Sequence, residues 1–276
     1  MVMNYGSLFY VLMLVLLAVL TVGTWLILRR CSEKTQRIAV LVLMLLNVAQ
    51  HLFKPLIYPM YWGQGFTHIM TAYNMCATLI LLSPVAMLCK SRLLKNFVFF
   101  VGTVAAVAAV AVPVWYIGKD VSDLGWDYVR FYLCHALLLL TSLMPLVLGM
   151  HAPAFREWWH IGTGFLLALC VILVNDFVMM TLGMYPGADI RTFYQSMLKI
   201  NPCGLMGPPQ ALPWVEKLVR LLSPPVFMGE NPTGLYVPIL WYAIPLFVGI
   251  SIGAVILFRV LDKKNLRSAP TENNEQ

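Results

Sequence analysis

Apolar runs of about 20 residues, separated by short clusters of charge, recur along this chain and match the length a helix needs to cross the hydrocarbon core. They are too long and too uniformly apolar for barrel strands, so backbone hydrogen bonding inside lipid forces them to be helical. Composition supports the same reading, with 60% apolar and only 11% charged residues against about 25% charged in an ordinary soluble domain. The expected fold is all-α: a polytopic membrane helix bundle of seven transmembrane helices in one domain over residues 1–267. The spans fall at about residues 8–28, 38–58, 66–88, 97–117, 129–150, 160–182 and 235–258. The first does not read as a cleaved signal peptide. Its apolar run is too long, no basic residue precedes it, and Arg29 and Arg30 follow it.

The formal charge of +7 does not point to nucleic acid, because the basic residues sit at the ends of apolar runs, where they meet headgroups. They also set an orientation. Arg29, Arg30, Lys34 and Arg37 lie between spans one and two, Lys90, Arg92 and Lys95 between three and four, and Arg259, Lys263, Lys264 and Arg267 after span seven. The alternate loops are poorer, with Lys54 after span two and Lys119 and Arg130 near Asp120, Asp123 and Asp127. The N-terminus is therefore expected outside and the C-terminus in the cytoplasm; the loop between spans five and six has only Arg156 to weigh. The protein is expected to be integral to a membrane, the plasma membrane if bacterial.

Residues 183–234 form a long outer connection rich in proline and glycine. Within it, residues 214–222 are amphipathic at helical spacing and read either as a short helix at the outer interface or as a lid over a site. Residues 268–276 read as a disordered polar tail. No internal repeat is evident, which counts against an inverted-repeat transporter. Of the six cysteines, Cys76, Cys134 and Cys170 fall inside apolar runs and none has zinc-ligand spacing, so neither a disulfide framework nor a metal site is expected.

Polar side chains are costly in hydrocarbon, so each needs a partner or a purpose. They are Asn47 and His51 in span two, Asn74 and Cys76 in span three, His135 in span five, and Asn175 and Asp176 in span six. With alternating span directions, His51 lies ~10 Å from the outer end of its span, Cys76 ~15 Å, His135 ~9 Å and Asn175 ~10 Å. Four helices thus place polar residues in one slab. Asn47, His51 and Tyr58 share a face of span two, and Tyr132, His135 and Ser142 share a face of span five. Cys134 points ~100° away from His135 around the helix and is not paired with it.

A thiol beside an imidazole is the minimal nucleophile-and-base arrangement for acyl transfer. Cys76 is the candidate nucleophile, His135 the better base and His51 the second. Asn175 or Asn74 can orient an imidazole or donate to an oxyanion, while Asp176 can hold a histidine in its tautomer or pair with Arg130. A plainer reading stands beside this one: a lone membrane Cys is usually a packing residue, and lone His or Asn residues are interhelical hydrogen-bond partners. Cys89 and Cys170 read as packing. Tyr58, Trp62, Trp115, Trp158 and Trp241 read as interface anchors.

The layout resembles the YwaF-like family, also called the transmembrane protein 164 family. The resemblance rests on the Cys in span three, the His near the start of span five within Phe131-Tyr132-Leu133-Cys134-His135, the Asn late in span six, and Pro238-x-x-Trp241-Tyr242 opening span seven. It covers about residues 5–260 and implies that Cys76 and His135 take the roles of a pair associated with acyl transfer onto ether phospholipids in animal members. Departures are Asn74 where the family commonly has His, Gly183-Met184-Tyr185 in place of an Asn-Tyr-rich motif, and a longer connection to span seven.

The leading expectation is a phospholipid acyltransferase with membrane lipids as donor and acceptor, needing no cofactor. Two other classes remain open. A small-molecule transporter or channel would use Asn47, His51 and Asp176 to line a pathway and would tolerate loss of the Cys76 thiol. A non-enzymatic seven-helix sensor is the other. Retinal is disfavoured because residues 235–258 contain no Lys, whereas a haem between His51 and His135 would show in an absorption spectrum. Oligomeric state is not legible.

Overall fold

Ser7, Ser32, Asn74 and Ser91 each have extended backbone and accept a hydrogen bond from a first-turn amide, which is how four of the longer helices begin. The structure, a computed structural model, describes residues 4–113, 116, 118, 121–185, 187–208 and 213–268. Trp115 and residues 269–276 of the expected tail lie outside them. The elements are α1 (Leu8–Leu28), α2 (Glu33–Leu52), α3 (Lys54–Ile57), α4 (Met75–Leu88), α5 (Arg92–Ala111) and α6 (Val121–Val147, kinked at Gly125), followed by α7 (Trp159–Thr181), α8 (Phe193–Ile200), α9 (Pro213–Val219) and α10 (Leu240–Ser268).

The helical class is as expected, and the protein is a polytopic helical membrane protein. Five helices are long and apolar enough to cross a membrane by length and composition: α1, α2, α5, the part of α6 from Gly125, and the stretch Phe155–Thr181 that contains α7. The other two expected spans differ. Span three was expected over residues 66–88, but its helix is only Met75–Leu88. Residues 66–74 contain just a single 3-10 turn, His68–Met70, between extended Thr67 and Thr71. Hydropathy cannot see this break. Thr71 and Asn74 bond local backbone groups in non-helical conformations, and Asn74 caps the shortened helix. Span seven begins at Leu240, after Pro238 and a left-handed Ile239 (φ 65°), and its apolar part is Leu240–Ile256. The expected span two also ends early, at Phe53, with Pro55 opening α3.

The bundle packs around α5, which touches α4, α6 and α7. Gly102 and Gly164 permit the closest approaches: a Cβ at Gly102 would lie 2.1 Å from Ser142 Oγ, and one at Gly164 2.5 Å from Phe97 Cβ. Helix α1 stands at the edge against α6, with Phe9 set edge-on to Tyr128 and Tyr132 and much of its remaining surface apolar and exposed, as lipid contact requires.

The N-terminal end of α5 is fastened by a buried polar network. Glu157 receives both Arg92 Nε and Nη2, with Asn96 Nδ2 at 3.1 Å and the Ala154 N–H at 3.2 Å. His151 Nε2 donates to Asn96 Oδ1 at 2.6 Å, and Asn96 donates to His160 Nδ1 at 3.0 Å. His151 lies in the turn between α6 and α7. Burial first, then the charges of Arg92 and Lys95, hold its imidazole down to about 4, against the pull of Glu157. The unfolded chain takes up this proton near pH 6.5, whereas the folded one refuses it until about 4. Stability from this group is therefore expected to fall as pH drops through that window. Melting curves of the detergent-solubilised protein check this, and His151→Gln, which keeps a donor for Asn96, is expected to flatten the slope there.

Candidate functional site

The broken third span creates the site. Irregular backbone at membrane depth is tolerated only where protein groups satisfy it, and the residues around 66–74 do so. His51 Nε2 donates to the Thr71 carbonyl at 3.1 Å, and Lys54 Nζ to the Ile69 carbonyl at 2.7 Å. Asn175 Nδ2 on α7 donates to Thr71 Oγ1 at 2.9 Å, and Thr71 Oγ1 in turn donates to the His68 carbonyl at 2.6 Å. His51 is 2% exposed and stacks on Tyr73. Its donating nitrogen is thus committed to a carbonyl.

The consequence is that Cys76 sits at a helix N-terminus, as the second residue of α4, rather than midway down a span. Asn74 Oδ1 takes the Ala77 N–H and the Asn74 carbonyl takes the Thr78 N–H. The Met75 N–H goes to the Cys203 sulfur. Among the described residues the Cys76 N–H has no acceptor, and the residue stands in the first turn, at the partially positive end of α4.

His135 on α6 is buried, and its Nδ1 lies 2.7 Å from the Phe131 carbonyl. A carbonyl cannot donate, so Nδ1 carries the proton and Nε2 is the ring's basic nitrogen. Cys76 stands within hydrogen-bonding reach of this ring. A second sulfur touches it too. Cys134 Sγ is 3.3 Å from His135 Nδ1 and donates to the Phe131 carbonyl at 3.2 Å. The helical-wheel angle had separated Cys134 from His135; a shared backbone acceptor one turn back brings the two side chains together.

The other expected residues divide into two groups. Asn47 is fully buried in a closed chain, donating to the Cys134 carbonyl at 3.3 Å and accepting from Gln50, whose Oε1 accepts from Tyr58. Asn175 joins the site through Thr71. Its neighbour Asp176, fully buried, takes only a 3.4 Å bond from Asn175 at Oδ1; its Oδ2 has no partner among the described residues. Asp176 meets neither His135 nor Arg130, which pairs with Asp127 at 2.7 Å. Tyr132 turns away toward α1, beside Phe9, and its hydroxyl is unpartnered among the described residues.

Sequence reasoning missed Gln50, Lys54, His68, Thr71, Cys134 and Cys203 as site residues. His68 stacks on Tyr185, ring centres 3.7 Å apart. Only the tight clustering of Thr, His and Asn over 67–74 hinted that this stretch was not a plain span. The long connection also reaches the site, though not by the amphipathic segment. That segment contains part of the short helix α9 and packs through Val219 against Met228 and Trp241. The covering turn is 201–207, held by Asn201 to Met206 N–H and the Gly207 carbonyl, with Met197, Leu205 and Met206 fully buried in the core.

Among the described residues no group of three or more His, Cys, Asp or Glu side chains is placed to hold a metal ion. Two apolar grooves, sharing Phe247 and Val248, run along α10 on the side of α7 and away from the Cys76–His135 pair. The sequence model of the TMEM164 family matches residues 4–212, which include every residue of the polar cluster and stop short of α10. No curated protein and no solved structure matches the chain.

Proposed function

This chain belongs to the TMEM164 family, and on that footing we propose that it is a seven-span phospholipid acyltransferase with Cys76 as nucleophile and His135 as base. The observation that carries the reading is that Cys76 and His135, on separate helices and far apart in sequence, stand within hydrogen-bonding reach in the bundle interior. The resemblance of both positions to the family's acyl-transfer pair supports it.

His135 Nε2 takes the thiol proton, and the Cys76 sulfur attacks an ester carbonyl of the donor phospholipid. The Cys76 N–H, without an acceptor among the described residues at the start of α4, donates to the oxyanion that forms. Collapse breaks the ester C–O bond, and the leaving glycerol oxygen takes the proton back from the imidazolium. The acyl chain is then a thioester on Cys76. A lysophospholipid hydroxyl gives its proton to His135 and attacks the thioester, and the expelled sulfur recovers that proton. The Phe131 carbonyl holds Nδ1–H throughout and so keeps Nε2 as the reacting nitrogen.

The test uses the purified protein in lipid with an isotopically labelled phospholipid and an unlabelled lysophospholipid. The expected result is label in the new diacyl lipid, together with an acid-stable, hydroxylamine-labile mass increase that maps to the peptide containing Cys76. Neither product nor adduct across several donors would overturn the reading in favour of transport or a purely structural role.

A further inference from the structure

Lys54 is 3% exposed, yet its ammonium has only one hydrogen-bond acceptor among the described residues, the Ile69 carbonyl, with the Tyr73 ring at 5.3 Å. One carbonyl calls for one neutral donor, as His51 supplies to Thr71. An ammonium brings two further N–H groups and a full charge, and a buried charge without a counter-ion is costly. The nearest acid among the described residues does not answer it. Asp127 is already held by Arg130 at 2.7 Å and by the Tyr116 hydroxyl at 2.8 Å. Arg130 itself lies under the Tyr61 ring, largely shielded from solvent. With Lys54 protonated, it and Arg130 outweigh Asp127, the acid beside them among the described residues, by one positive charge, and their field acts on Cys134, whose sulfur touches the His135 ring. Charge, unfilled donors and aromatic walls therefore converge beside the reacting pair.

We propose that Lys54, seconded by Arg130, binds the phosphate of a glycerophospholipid and thereby seats the lipid's ester at Cys76 and His135. The inference rests on the acyl-transfer reading for the meaning of the ester, but not for the phosphate site. A phosphate monoester or diester carries the anionic oxygens that two free ammonium N–H groups require, at charge-assisted strength. The short glycerol link then leaves an ester carbonyl near the phosphate while the acyl chains remain in the bundle or the bilayer. A neutral glycerolipid has the same ester and chains but no anion, so it should bind without this anchor.

Binding is measured on the full chain carrying Cys76→Ala, which removes turnover, by tryptophan quenching with brominated phosphatidic acid and brominated diacylglycerol of the same chains. Phosphatidic acid is expected to bind about tenfold tighter. Lys54→Gln keeps a neutral donor for Ile69 and should abolish that preference, while Lys54→Arg should restore most of it. An unchanged preference in a folded Lys54→Gln chain overturns the proposal, as does no preference in the parent. If Lys54→Gln does not fold, competition on the parent decides. At constant ionic strength, inorganic phosphate should displace phosphatidic acid only weakly and at millimolar levels. No displacement overturns the anion site; displacement as strong as by the lipid itself assigns it to free phosphate and overturns the headgroup assignment. A Lys54-dependent preference, together with no acyl transfer by the chain that retains Cys76, would sink the enzyme reading and leave the phosphate site standing.

Discussion

Cys76→Ala is expected to reduce acyl transfer to background, while Cys134→Ala leaves most of it. Both sulfurs stand within reach of the same imidazole, so proximity alone does not choose between them. The tautomer does. Nδ1 gives its proton to the Phe131 carbonyl, and Cys134 lies against that protonated nitrogen while donating to the same carbonyl. No base is available to it there. Cys134 is also buried, whereas Cys76 is half-buried at the amino end of α4, its own N–H without an acceptor among the described residues. His135→Ala should lower the rate by about 10²–10⁴, the usual share of a positioned base, without preventing a slow thioester on Cys76. Transfer assays and adduct mapping on the three variants check the assignment. Equal loss in Cys134→Ala and Cys76→Ala, with both proteins folded, would refute it.

Glu157→Ala is expected to destabilise the protein by about 3 kcal/mol, near the lower end for removing one partner of a buried pair because Arg92 remains half-exposed. The change strands Arg92, one donor of Asn96 and the Ala154 N–H together, and each polar group left without a partner in the interior costs about 1–3 kcal/mol. Asn96 is fully buried and also carries His151 and His160, so the loss should spread across the α5–α7 contact. Glu157→Gln keeps the shape and, with its oxygen where Oε2 stands, the three bonds received there, and should fall between parent and alanine variant. Denaturation in mild detergent, followed by loss of soluble protein, measures it. A melting point equal to the parent's would mean that the network is ornamental to stability.

The helical class, the membrane habit and the presence of five spans were legible in the chain, because a hydrocarbon core imposes one length and one polarity on whatever crosses it. Residues 8–28 and 160–182 came out within a residue of α1 and α7 for that reason. Cys76, His135 and Asn175 stood out for a related one: lipid makes a polar residue conspicuous wherever it falls. What hydropathy could not reveal was that residues 66–74 leave the helix, since an apolar stretch scores alike whether its backbone is helical or irregular. The break decided most of the site. It put Cys76 on a helix terminus instead of a helix side, and it committed His51 and Lys54 to carbonyls that a continuous helix would have satisfied itself. It also left the Met75 N–H to be taken by the Cys203 sulfur of the 201–207 turn. Cys134 escaped the sequence reading because a wheel projects directions from one axis and ignores a shared carbonyl one turn away. Sequence fixes which groups must be sheltered from lipid, by the cost of burying them unpaired; only the packed backbone decides which group pays that cost for which, since hydrogen-bond partners are chosen by three-dimensional reach.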